Sequence, residues 1–189
     1  IRIGILGDIG SGKSYVAKNF GYPVFNADYE VSKLYKKDKK IFTELKKQLP
    51  KYISSFPVNK NEITKAILGN KDNLKKIITI VHLEIRKILK LFLKKNRNKK
   101  AVILDIPLLL ENKINNQNDI LIFIDSKKEE IEKRLKKRVN FNRKLINKFK
   151  KIQFSSGYKK RKSDFIIKNN FNKNSLNKSI KIILNEILK

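Results

Sequence analysis

Eight residues near the start, Gly7-Asp8-Ile9-Gly10-Ser11-Gly12-Lys13-Ser14, match the pattern Gly, any four residues, Gly-Lys-Ser. No other stretch constrains the fold as tightly. Glycines spaced this closely break a strand or a helix, so the chain must turn here. Arg2-Ile3-Gly4-Ile5-Leu6 reads as a short buried strand, and Tyr15-Val16-Ala17-Lys18-Asn19-Phe20 opens a helix. Strand, glycine-rich turn and helix are the context in which this pattern, the P-loop, cradles phosphate on a helix N-terminus. The backbone N–H groups from Asp8 through Ile9, Gly10, Ser11 and Gly12 can wrap a triphosphate. Lys13 can reach its β- and γ-phosphates, and the Ser14 hydroxyl can hold Mg²⁺.

The chain has 189 residues, 40% of them hydrophobic, which predicts one domain, or a core with inserted subdomains. It has no cysteine, which excludes disulfides, thiolate nucleophiles and Cys-ligated zinc. No apolar run is long enough to span a membrane, and with a strand from about residue 2 no targeting segment is expected ahead of it. A cytoplasmic location is therefore expected. Net charge is +29, and 39 of the 46 basic residues are Lys. The lysines are spread over loops and amphipathic helices and form no single stripe. Arg, the better bidentate reader of phosphate, is scarce. The excess reads as solvated surface that steers anionic nucleotides, with nucleic acid a disfavoured partner.

Further along, Pro23-Val24-Phe25-Asn26 is a second short strand, and a helix is expected from Tyr29 to about Lys36. Ile41, Leu45 and Leu49 recur at helical spacing up to Pro50. A short helix starting at Asn61-Glu62-Ile63-Thr64 stops at Gly69-Asn70. From Asp72 to about Lys95, Leu74, Ile77, Ile78, Val81, Ile85, Ile88, Leu89 and Phe92 mark one face of a helix on the order of 36 Å long. The runs 101–105 and 120–125 read as central parallel strands buried on both faces, 164–167 as a further strand, and 175–188 as a last helix. Strands alternating with helices predict an α/β doubly wound sheet. Residues 136–163 are very basic, helical in pattern and poor in core positions, which suits a lid.

Ligands of such a sheet bind at the carboxyl ends of its strands. Asp28, just after the second strand, is therefore placed to accept a substrate hydroxyl proton; the alternative is an N-cap for the helix at Tyr29. Asp105, at the end of Ala101-Val102-Ile103-Leu104-Asp105, sits where a Walker-B-like carboxylate reaches Mg²⁺ directly or through water; the alternative is a satisfied strand-end carboxylate. Pro107, Leu108 and Leu109 come next as an apolar wall, and Glu111 reads as a loop residue or a substrate-lobe anchor. Arg134 and Arg138, four apart and expected on one helical face, can clamp a transferred phosphoryl group; the alternative is a solvated helix face. The single histidine, His82, reads as a mid-helix core residue.

Taken together these motifs resemble the dephospho-CoA kinase family over nearly the whole chain. The resemblance rests on the phosphate loop, on Asn26-Ala27-Asp28 and on the stretch from Asn70 through Leu74 to His82. It rests also on Asp105-Ile106-Pro107-Leu108-Leu109, Arg134 and Arg138, Gln153, Lys159 and Ser163-Asp164-Phe165-Ile166-Ile167-Lys168-Asn169. It implies a P-loop NTPase three-layer fold like that of nucleoside monophosphate kinases. Residues 1–28, 100–135 and 164–189 would be the nucleotide-binding core, 29–99 a mostly helical CoA region, and 136–163 a lid. The implied reaction moves the ATP γ-phosphoryl to the ribose 3′-hydroxyl of dephospho-CoA. By position, Asp28 would be the base, Lys13 and Arg138 the charge stabilisers, Ser14 and Asp105 the Mg²⁺ ligands. His82 and the 107–109 wall would line the acceptor side, and Asn169 would lie near adenine.

The chain departs from the family pattern at several points. Asp8 stands where Gly is usual, and the phosphate grip survives if its side chain turns outward, because the grip is made by backbone N–H. Asn26 replaces the first Asp of a pair, so that carboxylate's role is lost. Lys71 and Leu83 stand for Pro, Tyr15 for a small Ser or Thr, and Val139 for an acidic residue. Three other readings remain open: a different P-loop kinase acting on a nucleoside or nucleotide, a non-catalytic nucleotide binder, and a basic nucleic-acid-binding NTPase. Oligomeric state is not fixed by the sequence.

Overall fold

The computed structural model describes residues 1–139 and 141–189. Along the chain come β1 (Arg2–Gly7), α1 (Lys13–Asn19), β2 (Val24–Asn26), α2 (Ala27–Lys37), α3 (Lys39–Gln48), α4 (Lys60–Gly69) and α5 (Asn73–Lys95). Next are β3 (Val102–Asp105), β4 (Ile120–Asp125), α6 (Lys128–Lys136), α7 (Arg143–Ile152), α8 (Ser156–Arg161), β5 (Phe165–Lys168) and α9 (Lys173–Ile187). Residue 140, in the segment expected to form a lid, lies outside the described residues.

All five strands pair in parallel in the order β2-β3-β1-β4-β5. β1 is central. Its register pairs Gly4 with Leu104 on one side and with Leu121 on the other. The chain leaves β1 toward β2 and β3, then returns to β4 and β5 on the opposite side. The carboxyl end of β1 is thus the switch point, where ligands of open α/β sheets bind. The unbroken apolar runs reflect cover on both faces. Ile3 and Ile5 of β1 share one buried cluster with Val16 and Ala17 of α1, with Phe20 just beyond it, and with Leu176, Ile180 and Ile183 of α9. On the opposite face there is room only for glycine: a Cβ on Gly4 would sit 2.6 Å from Leu109 and 2.9 Å from Leu121.

The chain divides into two compact units. The first, Ile1–Asn26, Leu93–Phe141 and Ile152–Lys189, contains the sheet. The second, Ala27–Phe92 with Asn142–Lys151, is helical, and buries Leu34, Ile41, Leu45, Ile63, Ile77 and Ile85. Its α3 is N-capped by Asp38, whose carboxylate accepts from the N–H groups of Lys40 and Ile41, and α4 by Asn59. α2 begins at Ala27 rather than at Tyr29. Asp28 is consequently not the N-cap but a residue of the first turn, where a carboxylate complements the helix dipole.

Within the first unit, the loop before β4 is tied to β1 by charge. Arg2 meets Asp119 through two 2.9 Å contacts, and the Asn116 N–H donates to the same carboxylate at 2.9 Å. Burial pushes the Asp119 carboxyl up despite these partners. Removing one member of a buried pair leaves the other uncompensated. Arg2→Met is therefore expected to lower unfolding free energy by about 2–4 kcal/mol at neutral pH. Urea titrations should show that loss shrinking as the pH is lowered and Asp119 takes up a proton.

Candidate active site

The phosphate loop runs from the end of β1 into α1. Gly10 and Gly12 both have φ of 90°, a left-handed conformation that favours glycine. Space makes the same demand: a Cβ on Gly12 would meet the Asn169 amide at 2.7 Å, and one on Gly10 would meet Leu135 at 3.0 Å. Gly12 is also the N-cap of α1, so no side chain there takes up the first-turn N–H groups. The loop closes on itself through Ser11 N–H donating to the Asp8 carbonyl at 3.1 Å. The carbonyl of Ser11 is held from outside by the Ser126 hydroxyl at 3.0 Å and the Asn169 amide at 2.9 Å. Lys13 Nζ donates to the Gly7 and Asp8 carbonyls at 3.1 and 2.9 Å, and Ser14 is exposed on the first turn of α1.

The Asp8 side chain turns onto α8. Both of its oxygens accept from the Ser156 hydroxyl, at 2.8 and 2.7 Å, and Lys159 Nζ lies 3.4 Å away. Lys160 of the same helix pairs with Asp125 at the end of β4, at 2.7 Å. Ser126 and Ser156 carried no signal in the sequence, since a lone serine has no periodicity and both partners are remote in the chain.

Beside β1, Asp105 ends β3 almost fully buried. The Asn26 amide, its register partner on β2, donates to its carboxylate at 2.6 Å. Asn26 is therefore more than a lost carboxylate: it fixes the orientation of Asp105 without adding a second negative charge. Pro107 is half-buried and its carbonyl accepts from Gln153 at 3.2 Å. Leu108 is half-buried, whereas Leu109 is sealed in the core and backs this wall rather than facing outward. The Glu111 carboxylate accepts from the Phe154 N–H at 2.8 Å.

Two readings of the sequence need correction. Arg134 and Arg138 do not share a helical face, because α6 ends at Lys136. Its last buried residue is Leu135, and the positions one turn on are Arg138 and a fully exposed Val139, so nothing packs to extend the helix. Arg134 instead stacks on the ring of Phe171, 4.1 Å from its centroid, a contact that spacing in the sequence does not reveal. His82 is not a core residue. The buried face of α5 carries Val81 and Ile85, and His82 sits one position off it, half-buried, accepting from Arg86 Nε at 3.3 Å. Asp28 and Arg138 are both exposed.

Mg²⁺ in phosphotransferases keeps most of its oxygen ligands from water and substrate phosphates. Among the described residues no three His, Asp or Glu side chains gather as a metal site. One hydroxyl and one oriented carboxylate, Ser14 and Asp105, are a donor set of the size a phosphate-borne Mg²⁺ needs.

A parallel sheet with this loop at the end of its central strand defines a P-loop NTPase-like three-layer protein. The profile of the dephospho-CoA kinase family matches residues 1–175. A dephospho-CoA kinase of the Wolbachia strain from Brugia malayi is 32% identical over 190 residues, covering 98% of this chain and 97% of its own. Among solved structures, TT1252 from Thermus thermophilus superposes with a TM-score of 0.80 at 26% identity, covering 98% of this chain and 97% of that one. The dephospho-CoA kinase from Campylobacter jejuni gives 0.63 at 22% identity over 98% and 96%, a likeness of fold. The chain belongs to the dephospho-CoA kinase family, and kinase chemistry comes with that membership.

Burial lowers the pKa of His82 below its ordinary 6.5, and the charge of Arg86 lowers it further. On acidification the unfolded chain takes up this proton before the folded one, so stability falls as pH drops through about 6.5. His82→Gln removes that contribution. Between about pH 7.5 and 5.5 its urea midpoint should decline less than that of the wild type.

Proposed function

We propose that the protein phosphorylates the ribose 3′-hydroxyl of dephospho-CoA with ATP, giving coenzyme A and ADP. The observation that carries this reading is the family match across residues 1–175, which takes in the phosphate loop, the helical segment and the loop after β5. The site chemistry supports it. The uncapped N–H groups of the loop would receive the β- and γ-phosphates, and Lys13 would leave its carbonyl partners to meet the charge that develops on the transferred group. Ser14 and Asp105 would hold Mg²⁺, which supplies charge neutralisation across the phosphates.

Asp28 would be the general base. The acceptor 3′-oxygen forms a bond to the γ-phosphorus, the bond from that phosphorus to the β-bridging oxygen breaks, and the hydroxyl proton passes to Asp28. Arg138 would add positive charge to the phosphoryl group in flight. Residues 29–99, with His82, would take the acceptor together with the wall of Pro107 and Leu108 backed by Leu109. His82 would enter as a neutral imidazole at neutral pH, since both influences on it disfavour the charged form. Asn169 would serve the nucleotide indirectly, by holding the Ser11 carbonyl and through it the loop. Residues 136–163 would close over the donor.

An ADP-release assay with dephospho-CoA, adenosine, AMP and no acceptor tests the substrate. Stimulation by dephospho-CoA above the other three is expected, and its absence overturns the reading. Lys13→Ala should abolish turnover. Asp28→Asn should lower kcat by about 10²–10⁴-fold while ATP binding stays nearly intact. Unchanged kcat in that variant would remove Asp28 from the role of base.

A further inference from the structure

An ammonium group gives up strong hydration when it is buried, so a lysine stays inside a protein only against a counter-charge. Of the 39 lysines in this chain, Lys159 is the one that is buried among the described residues. Its side chain is 3% exposed. Its ammonium lies 3.4 Å from Asp8 Oδ1 and donates to the Gly7 carbonyl at 3.3 Å. Both contacts are with the phosphate loop. Asp8 in turn is aimed at Lys159 by Ser156, whose hydroxyl is within 2.8 Å of each carboxylate oxygen. The helix that carries both is fixed in place. Ser155 caps α8 by accepting from the Tyr158 N–H, Ser163 donates to the Lys159 carbonyl, and Lys160 binds Asp125.

Asp8 is a carboxylate in the first variable position of a loop whose ligand is polyanionic. An unbalanced negative charge there opposes that ligand. The solvated lysines of the surface compensate poorly, because exposed charges are screened within about 8–10 Å at ordinary ionic strength. A buried ammonium in contact is screened much less.

We propose that Asp8, Ser156 and Lys159 form a charge-compensating clamp on the phosphate loop. Lys159 is a positioning residue: it cancels the loop carboxylate and holds Gly7 and Asp8 in the shape that receives the nucleotide. This inference rests on the donor-site reading above.

The test is a cycle of wild type, Asp8→Asn, Lys159→Met and the double variant. MgATP affinity is measured by calorimetry, folding by urea titration, and KM for each substrate by ADP release. Lys159→Met leaves the Asp8 charge uncompensated beside the phosphate loop, and should weaken ATP binding roughly tenfold. KM for dephospho-CoA should stay within about twofold. Asp8→Asn keeps the shape and the bond to Ser156 but strips Lys159 of its counter-charge. It should lower the urea midpoint and yet bind ATP up to about tenfold more tightly. The double variant should return to within about twofold of wild-type affinity.

A merely structural clamp makes affinity fall with stability in every variant, and that result, or a flat cycle, overturns the proposal. Should Lys159→Met not fold, the sign of the ATP change in Asp8→Asn decides alone. Wild type that binds no MgATP overturns the donor-site reading and this inference with it. Wild type that binds, with no opposition between the two single variants, overturns the clamp only.

Discussion

A loop that binds phosphate through its backbone must hold its N–H groups in one orientation before the ligand arrives, and its own Lys13, bonded to the Gly7 and Asp8 carbonyls, does only part of that work. Most of the remaining restraint comes from outside. Left-handed glycines at 10 and 12 let Leu135 of α6 and Asn169 beyond β5 press directly on the backbone. Ser126, after β4, and Asn169 both grip the same Ser11 carbonyl. Lys159 grips the Gly7 carbonyl at the other end of the loop. Three neighbouring segments at the carboxyl edge of the sheet thus converge on six residues. The order β3-β1-β4-β5 is what brings them there, with β1 between its two parallel neighbours.

Charge in this protein divides into two populations that behave differently. Most lysines sit in water, where pairs such as Lys87 with Glu84 or Lys133 with Glu130 contribute little. A few groups are withdrawn from solvent, and each is matched: Asp119 by Arg2, Asp105 by Asn26, Lys159 by Asp8. The net +29 belongs to the first population and sets the long-range field. Local chemistry belongs to the second. Asp8 and Asn26, where the resemblance leads one to expect Gly and Asp, both fall in the matched set. Asp8 is held by Ser156 and Lys159, and Asn26 donates to Asp105.

The features legible in the sequence are those written in consecutive residues. The strands at 101–105 and 120–125 are unbroken apolar runs because both faces are covered, and they reappear as β3 and β4. The long amphipathic stretch from 72 appears as α5 within a residue of its expected start. The glycine loop carries its own conformational demand. Contacts between remote segments leave no such trace. Nothing about Ser156 predicts a bond to Asp8, and the pairing of Asn26 with Asp105 arises only from the β2-β3 register. Arg134 and Arg138 show the limit of periodicity. Spacing of four is helical only while packing continues, and after Leu135 there is nothing left to bury.

The basic stretch 136–163, uniform in composition, is not uniform in physics. α7 has no fully buried residue, and its Leu145, Ile146 and Phe149 are half-buried. α8, a few residues on, carries the buried Lys159 and is fastened to β1 and β4 through Asp8 and Asp125. The division into compact units falls between them, with Asn142–Lys151 on one side and Ile152–Lys189 on the other. Releasing α8 from the phosphate loop would expose Lys159 and free the Asp8 carboxylate. The two helices of this stretch are therefore anchored unequally.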